Sequence, residues 1–115
     1  MIEIALTDSI LSFAIPAKNC RGRVVRLGPA LDDILAAHAY PPMIRDILAE
    51  AVCLTAMLGA LLKDEGAQLT LQAQTEAGVI SLLACDYKDG ALRGYVEFDR
   101  ERLASQPLEP SLMAL

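Results

Sequence analysis

The chain has 115 residues, of which 54% are hydrophobic and 22% charged, and its formal net charge is −5. This composition is typical of a globular protein and excludes a disordered one, and the length suits a single domain. The acidic balance and the 4% aromatic content argue against nucleic acid as a partner, because nucleic-acid binding takes clustered cations and base-stacking rings.

The compartment signals in the sequence indicate the cytoplasm. The first residues, MIEIAL, carry an acid where a secretory signal has its basic region. No apolar run reaches the roughly 18 residues of a membrane-spanning helix. The three cysteines, Cys20, Cys53 and Cys85, are odd in number and far apart, so they predict neither a disulfide framework nor a zinc site. We therefore expect a cytoplasmic protein with no membrane partner and no cofactor of its own.

A strand and a short helix are the first clear elements. Residues 20–27 mix β-branched and charged side chains, as strands do, and Gly28 and Pro29 end this stretch. Pro29 suits the first turn of a helix whose apolar residues recur at helical spacing. The helix stops before Pro41 and Pro42, which cannot continue it.

A second, longer helix is predicted from Pro41 or Pro42 to about Lys63. Its first half is amphipathic, whereas residues 51–62, AVCLTAMLGALL, carry no charge. A helix that is apolar on every side must be covered on every side. Twelve residues span only about 18 Å, which is too short for a bilayer. The charge-free segment is therefore the central helix of a core, which we favour, or one face of an interface.

Three antiparallel strands follow this helix. Gly66 suits a left-handed helix cap, and residues 68–74 alternate apolar and polar side chains as a half-buried strand does. Residues 79–85 return as an apolar strand, residues 88–90 (KDG) signal a hairpin, and residues 92–98 alternate again. These elements predict an α+β fold in which an antiparallel β-sheet meander packs on a long buried helix.

The sequence shows no active site, and we expect that the protein is not an enzyme. It contains no nucleophile elbow and no phosphate-binding glycine loop. His38, the only histidine, falls in the last turn of a predicted helix, where a charge–dipole contact is a better explanation than catalysis. Cys53 is expected to be a small buried hydrophobe, while Cys20 and Cys85 flank strands and are expected to be partly exposed. Only Cys20, beside two arginines, approaches the setting of a reactive thiolate.

The C-terminal stretch is unusual in composition. It contains Pro107 and Pro110, and residues 112–115 read LMAL. Because natural termini are usually polar, we expect a chain that was cut short or an end that docks on another surface.

An ordered set of motifs resembles one protein family. Residues 21–27 read RGRVVRL, residues 38–41 HAYP, residues 62–66 LKDEG, residues 69–74 LTLQAQ and residues 92–95 LRGY. In this order and at these spacings they resemble the family of the redox-regulated 33-kilodalton heat shock protein, a bacterial holdase chaperone, over about residues 8–103. Asp64 departs from the pattern, since relatives usually have an aromatic residue there.

The resemblance implies an N-terminal α/β core, a metastable linker and a small C-terminal zinc module. Four cysteines of that module hold zinc when reduced and form disulfides under oxidative stress, after which the protein dimerises and binds unfolded clients without ATP. None of the three cysteines here matches a switch cysteine, so the zinc belongs to a domain that this sequence lacks. Residues 1–115 are thus expected to form a single, truncated core domain.

We therefore expect an ATP-independent holdase core that binds unfolded client proteins and forms a homodimer. The alternatives are a dimerisation or structural module without client binding and a thiol-dependent enzyme. The candidate apolar surface for a client or partner consists of Leu54, Met57, Leu58 and Leu61.

Overall fold

The computed structural model describes residues 8–105, together with the backbone of residues 2 and 3. In chain order the elements are β1 (Ile2–Glu3), β2 (Ser9–Ile15), β3 (Cys20–Arg26), α1 (Pro29–Ala36), α2 (Pro42–Gly59), β4 (Gln68–Gln74), β5 (Ile80–Lys88), β6 (Ala91–Phe98) and α3 (Arg100–Ser105). The α+β class predicted from the sequence is confirmed. The expectation of a docked or cut end at Pro107, Pro110 and residues 112–115 lies outside the described residues.

The strands form two antiparallel sheets. The larger has the order β1-β6-β5-β4, so β4, β5 and β6 are the predicted meander, and β1 pairs with β6 at its open edge. The second sheet is the hairpin of β2 and β3, joined by a 3₁₀ turn, Pro16–Lys18. The sequence predicted β3 but not β1 or β2. Strand β1 has only two residues, and it is a strand because these residues pair with β6, which no local pattern could show. Strand β2 was missed because the turn after it lacks the Asn-Gly or Asp-Gly signal of a tight hairpin.

Helix α2 crosses the inner face of the four-stranded sheet. Its buried residues recur at helical spacing and are Ile44, Ile47, Leu48, Ala51, Val52, Thr55, Ala56 and Gly59. They pack on inward-facing residues of the two central strands, Leu83 and Cys85 of β5 and Leu92 and Val96 of β6. Helix α1 joins the same core through Ile34. The predicted packing of the meander on the long helix is confirmed.

Helix α2 is shorter than predicted, and its two sides differ in exposure. It ends at Gly59 rather than near Lys63, and the chain tightens there into i→i+3 hydrogen bonds from the amides of Leu61 and Leu62. Leu58 and Leu61 are 37% and 52% exposed. The charge-free segment is therefore partly core and partly open surface, because the sheet reaches only one of its faces. Among the described residues, no helix is long and apolar enough to cross a membrane.

Two left-handed turns lie together at one end of the sheet. Gly66 has φ +75°, but the prediction that it caps the long helix is wrong, because α2 ends at Gly59 with Ala60 in a right-handed conformation. The Gly66 amide instead donates to Oδ1 of Asp89 at 3.0 Å. Asp89 and Gly90 both have positive φ, at 48° and 79°. This is the geometry that suits a two-residue hairpin between strands. The hairpin predicted at residues 88–90 is confirmed.

Gly94 lies at a place where α1 and α2 approach β6 closely. A Cβ atom at this position would lie 2.9 Å from Cγ2 of Val52, 3.2 Å from Cδ1 of Leu48 and 3.3 Å from Cγ2 of Ile34. These neighbours are buried in the core and have little room to move.

We expect Gly94→Val to lower the free energy of unfolding by about 1–3 kcal/mol, because the added methyl groups meet packed side chains. Urea unfolding followed by circular dichroism measures the change. Gln72→Val, on the exposed outer face of the same sheet, is the matched control and should change the free energy by less than about 0.5 kcal/mol. A Gly94→Val protein as stable as the parent would contradict the close packing of helix and sheet.

Candidate functional site

An open cavity of about 570 Å³ lies between the second half of α2 and the β2–β3 hairpin. Its helix wall is formed by the four residues that the sequence indicated as a candidate surface, Leu54, Met57, Leu58 and Leu61. Their spacing of three and four residues places Leu54, Met57 and Leu58 along one side of the helix, and Leu61 follows in the turn after its end at Gly59. The hairpin wall is formed by Ser12, Phe13, Arg21, Gly22 and Arg23. We call this cavity the groove.

The hairpin is fixed at its base and open at its tip. Ile10 and Val25 are cross-strand partners and pack against the hydrophobic core. Farther along, residues 11–21 are all exposed. The Phe13 ring lies over Gly22, where a Cβ atom would overlap it. The absence of a side chain at Gly22 therefore lets this ring rest flat on the hairpin at the wall of the groove.

The hairpin also presents apolar side chains to solvent. Leu11, Phe13, Ile15 and Val24 are between 42% and 63% exposed. Their alternation along the strands places them on the face opposite the core-packed Ile10, and of these four Phe13 also lines the groove. Contiguous apolar surface of this kind is typical of binding sites rather than of inert protein surface.

The polar part of the groove is basic. Arg21 and Arg23 line it, and residues 18–26 hold four of the ten lysines and arginines of the chain. Residues 9–31 contain no aspartate or glutamate. The groove thus combines apolar walls with positive charge in a chain whose net charge is −5.

The sequence identified the helix wall of the groove but missed the hairpin wall. The available signals were the alternation of Leu11, Phe13 and Ile15 with small residues, which is a strand pattern, and the absence of acids over residues 9–31. Neither signal shows that the hairpin folds back toward α2, since that depends on the packing of its base.

His38 belongs to a cluster of aromatic rings. It lies in the turn after α1, two residues beyond the last helical residue Ala36, so the expectation of a place in the last helical turn is wrong. Its ring meets those of Tyr40 and Tyr95 edge-on, with centroid distances of 5.5 Å and 5.3 Å. The Tyr40 hydroxyl accepts a hydrogen bond from the Val96 amide at 3.4 Å, and burial raises the pKa of Tyr40. These contacts support a packing role for His38.

The three cysteines lie on different elements. Cys20 is exposed at the start of β3, and Cys53 is partly buried on α2. Cys85 is 1% exposed, so the expectation that it is partly exposed is wrong: it lies on a central strand and faces the core. Burial raises the pKa of Cys85 to about 11 and also raises the pKa of Cys53. Over residues 8–105, no group of three or more histidine, cysteine and acidic side chains is arranged to hold a metal ion.

We expect iodoacetamide at neutral pH to label Cys20 in the folded protein and to label Cys85 only after unfolding, because Cys85 is inaccessible and its thiol stays protonated. Mass spectrometry of digests taken over time measures both rates, and the rate at Cys85 should be more than about a hundredfold slower. In the control Cys20→Ser, the fast-labelled site should be absent. Equal labelling of Cys20 and Cys85 would contradict the core placement of β5.

One buried carboxylate, Asp86, lies on β5 away from the groove. Its Oδ1 accepts from the Thr70 hydroxyl at 2.5 Å, and its Oδ2 accepts from Nε of Arg93 at 2.8 Å. The Thr70 hydrogen bond, together with the charge and hydrogen bonds of Arg93, holds the pKa of Asp86 below its ordinary value. A carboxyl with a lowered pKa is suited to joining β4, β5 and β6 rather than to general acid catalysis.

The ionised Asp86 should stabilise the fold above about pH 4, where the carboxyl is ionised in the unfolded chain, and this contribution should disappear as the pH falls through the lower folded-state pKa. We expect Asp86→Asn to lower the free energy of unfolding by about 1–3 kcal/mol near pH 6, and by less near pH 3. Urea titrations at both pH values measure this, with exposed Asp46→Asn as the control. The same loss at both pH values would contradict an ionic role.

Comparisons with known proteins cover most of the sequence. A family model described as Hsp33 protein matches residues 8–113. The 33 kDa chaperonin of Caulobacter vibrioides is 44% identical over 101 residues, which cover 87% of this chain and 33% of that protein. The 33 kDa chaperonin of Pseudoalteromonas atlantica is 34% identical over 102 residues, 89% of this chain and 34% of that protein.

The 33 kDa chaperonin of Pseudomonas putida is 32% identical over 116 residues, which cover 100% of this chain and 37% of that protein. This chain thus spans about a third of the length of the curated relatives it matches. The resemblance found in the sequence is confirmed over a longer stretch than expected. With nearly all of its residues matched by the family model, this chain belongs to the Hsp33 family.

Proposed function

We propose that this chain is the client-binding core of an ATP-independent chaperone and that the groove holds apolar segments of unfolded proteins. The observation that carries the proposal is the groove itself, in which an apolar helix side and an exposed hairpin enclose an open cavity. Membership of the Hsp33 family supports the chaperone role, as do relatives named 33 kDa chaperonin.

The chemistry of the groove suits clients that differ in sequence. Burial of apolar surface contributes roughly 25 cal/mol per Å² and does not depend on direction, so many apolar segments can bind. Met57 adds a flexible, polarisable side chain that adapts to different partners. The net charge of −5 disfavours association between loaded complexes.

We propose that holding by this chain does not depend on oxidation and needs neither zinc nor ATP. Cys20, Cys53 and Cys85 lie on three different elements, with Cys20 exposed and Cys85 in the core, which does not favour a shared disulfide or metal site. The sequence has no phosphate-binding glycine loop. We also propose that residues 1–115 act as a single core domain, without catalysis, in the cytoplasm.

A second candidate function is that of a dimerisation module. The hairpin of β2 and β3 is a two-stranded sheet, so each of its strands has a free edge, and its outward face is apolar. Free strand edges and apolar faces favour pairing with another copy. We propose that a homodimer forms through this face. If the same contact covered the groove, no surface would remain there for a client.

Leu61→Glu should weaken chaperone activity, because it introduces a charge into the apolar wall of the groove. The assay is light scattering of a chemically denatured enzyme diluted into a molar excess of this chain. We expect roughly threefold more variant than parent to be needed for half-maximal suppression. The matched control is Leu11→Glu, which places the same charge at an exposed leucine on the outward face of the hairpin.

The outcomes separate the two candidate functions. Equal loss in both variants would show that activity does not depend on the groove in particular, and loss in Leu11→Glu alone would place client binding on the hairpin face. No suppression by the parent chain at any ratio would contradict the chaperone proposal and leave the dimerisation module.

A further inference from the structure

The distribution of charge around the groove is unlike that of the rest of the chain. Lys18, Arg21, Arg23 and Arg26 lie on the hairpin, which contains no acid, while the whole chain carries five more acids than bases. The two salt bridges found among the described residues, Asp86–Arg93 and Asp99–Arg102, are remote from the hairpin. Neither of these two salt bridges involves a cation of the hairpin.

Two of these cations are placed to contact a segment lying in the groove. Arg21 and Arg23 are two residues apart on β3, so their side chains leave the same face of the hairpin, and both line the groove. An arginine can lay its aliphatic part along apolar surface and present its guanidinium group at the edge. Each guanidinium can bind a carboxylate through two hydrogen bonds.

The opposite wall of the groove offers no competing negative charge. Leu54, Met57, Leu58 and Leu61 are all apolar. The nearest acids along the chain on either side of them, Glu50 and Asp64, do not line the groove. A carboxylate on a bound segment thus meets arginines against apolar surroundings, where an ionic hydrogen bond is stronger than in open water.

We propose that the groove selects clients by charge, and that its preferred occupant is an extended protein segment in which apolar residues are flanked by aspartate or glutamate. This proposal rests on the proposed client-binding function and names the substrate class of that site. The apolar side chains of the segment pack on the helix wall, and its carboxylates bind Arg21 and Arg23. A segment flanked by lysine or arginine meets like charge and binds more weakly.

Three fluorescein-labelled peptides test the proposal. They share one apolar centre and carry glutamate, glutamine or lysine on both sides, and binding to the 115-residue chain is followed by fluorescence anisotropy at low and high salt. We expect the glutamate peptide to bind about fivefold more tightly than the glutamine peptide and about twentyfold more tightly than the lysine peptide. Salt screens these contacts, so the differences should shrink as the salt concentration rises.

Charge-reversed variants identify the groove as the origin of the selectivity. Arg21→Glu/Arg23→Glu should bind the lysine peptide most tightly. The matched control, Arg45→Glu/Lys88→Glu, changes the net charge by the same amount at exposed positions outside the groove and should keep the parent's order of affinities. If the first variant does not fold, Arg21→Gln/Arg23→Gln is used, and its preference for the glutamate peptide should be lost.

Several results would overturn the proposal. Equal affinities of the parent chain for the three peptides would overturn the selectivity and leave the proposed function standing, whereas binding of none of them would overturn both. Tighter binding of oligothymidylate than of the glutamate peptide, lost in the Arg21→Glu/Arg23→Glu variant, would identify a nucleic-acid surface instead. A dimer of the parent chain that this variant abolishes would identify a second copy as the occupant.

Discussion

The apolar surface of helix α2 has to be shielded from water, and the rest of the structure depends on this requirement. Residues 51–62 carry no charge, so both sides of this helix need apolar contact, and the four-stranded sheet supplies it on one side only. That side is packed so closely that Gly94 is needed where α1 and α2 meet β6. Leu58 and Leu61 on the other side remain exposed. The open side of α2 is a consequence of how few strands the described fold provides.

The hairpin of β2 and β3 covers the other side of α2 only in part, and the space left between hairpin and helix is the groove. Ile10 and Val25 attach the base of the hairpin to the core, whereas residues 12, 13 and 21–23 form one wall of an open cavity beside the second half of α2. An element with few buried apolar contacts belongs to the less stable part of a fold and can move without unfolding the core. The same arrangement therefore gives the groove an adaptable wall beside a rigid one, which is suited to partners of varied shape.

Sequence patterns predicted the elements that depend on local chemistry and missed those that depend on distant pairing. The alternation of residues 68–74 and the turn at Asp89 and Gly90 are local signals, and the structure has both. The pairing of β1 with β6 and the burial of Cys85 arise only when remote segments meet. For the groove, the apolar side of α2 was readable from its composition. The sequence did not show that the hairpin folds back to that side of α2, because no local pattern encodes this contact.

Net charge and local charge act over different distances in this molecule. The excess of acids over the whole chain produces a negative field around it, which repels a neighbouring chain and which salt screens over a Debye length of about 10 Å. Inside the groove that field is outweighed by Arg21 and Arg23, because the interaction between nearby charges grows as their separation falls and as water is excluded. A single acidic chain can thus repel its neighbours and still attract carboxylates at one site. An apolar groove without these arginines would bind apolar segments irrespective of the charges that flank them.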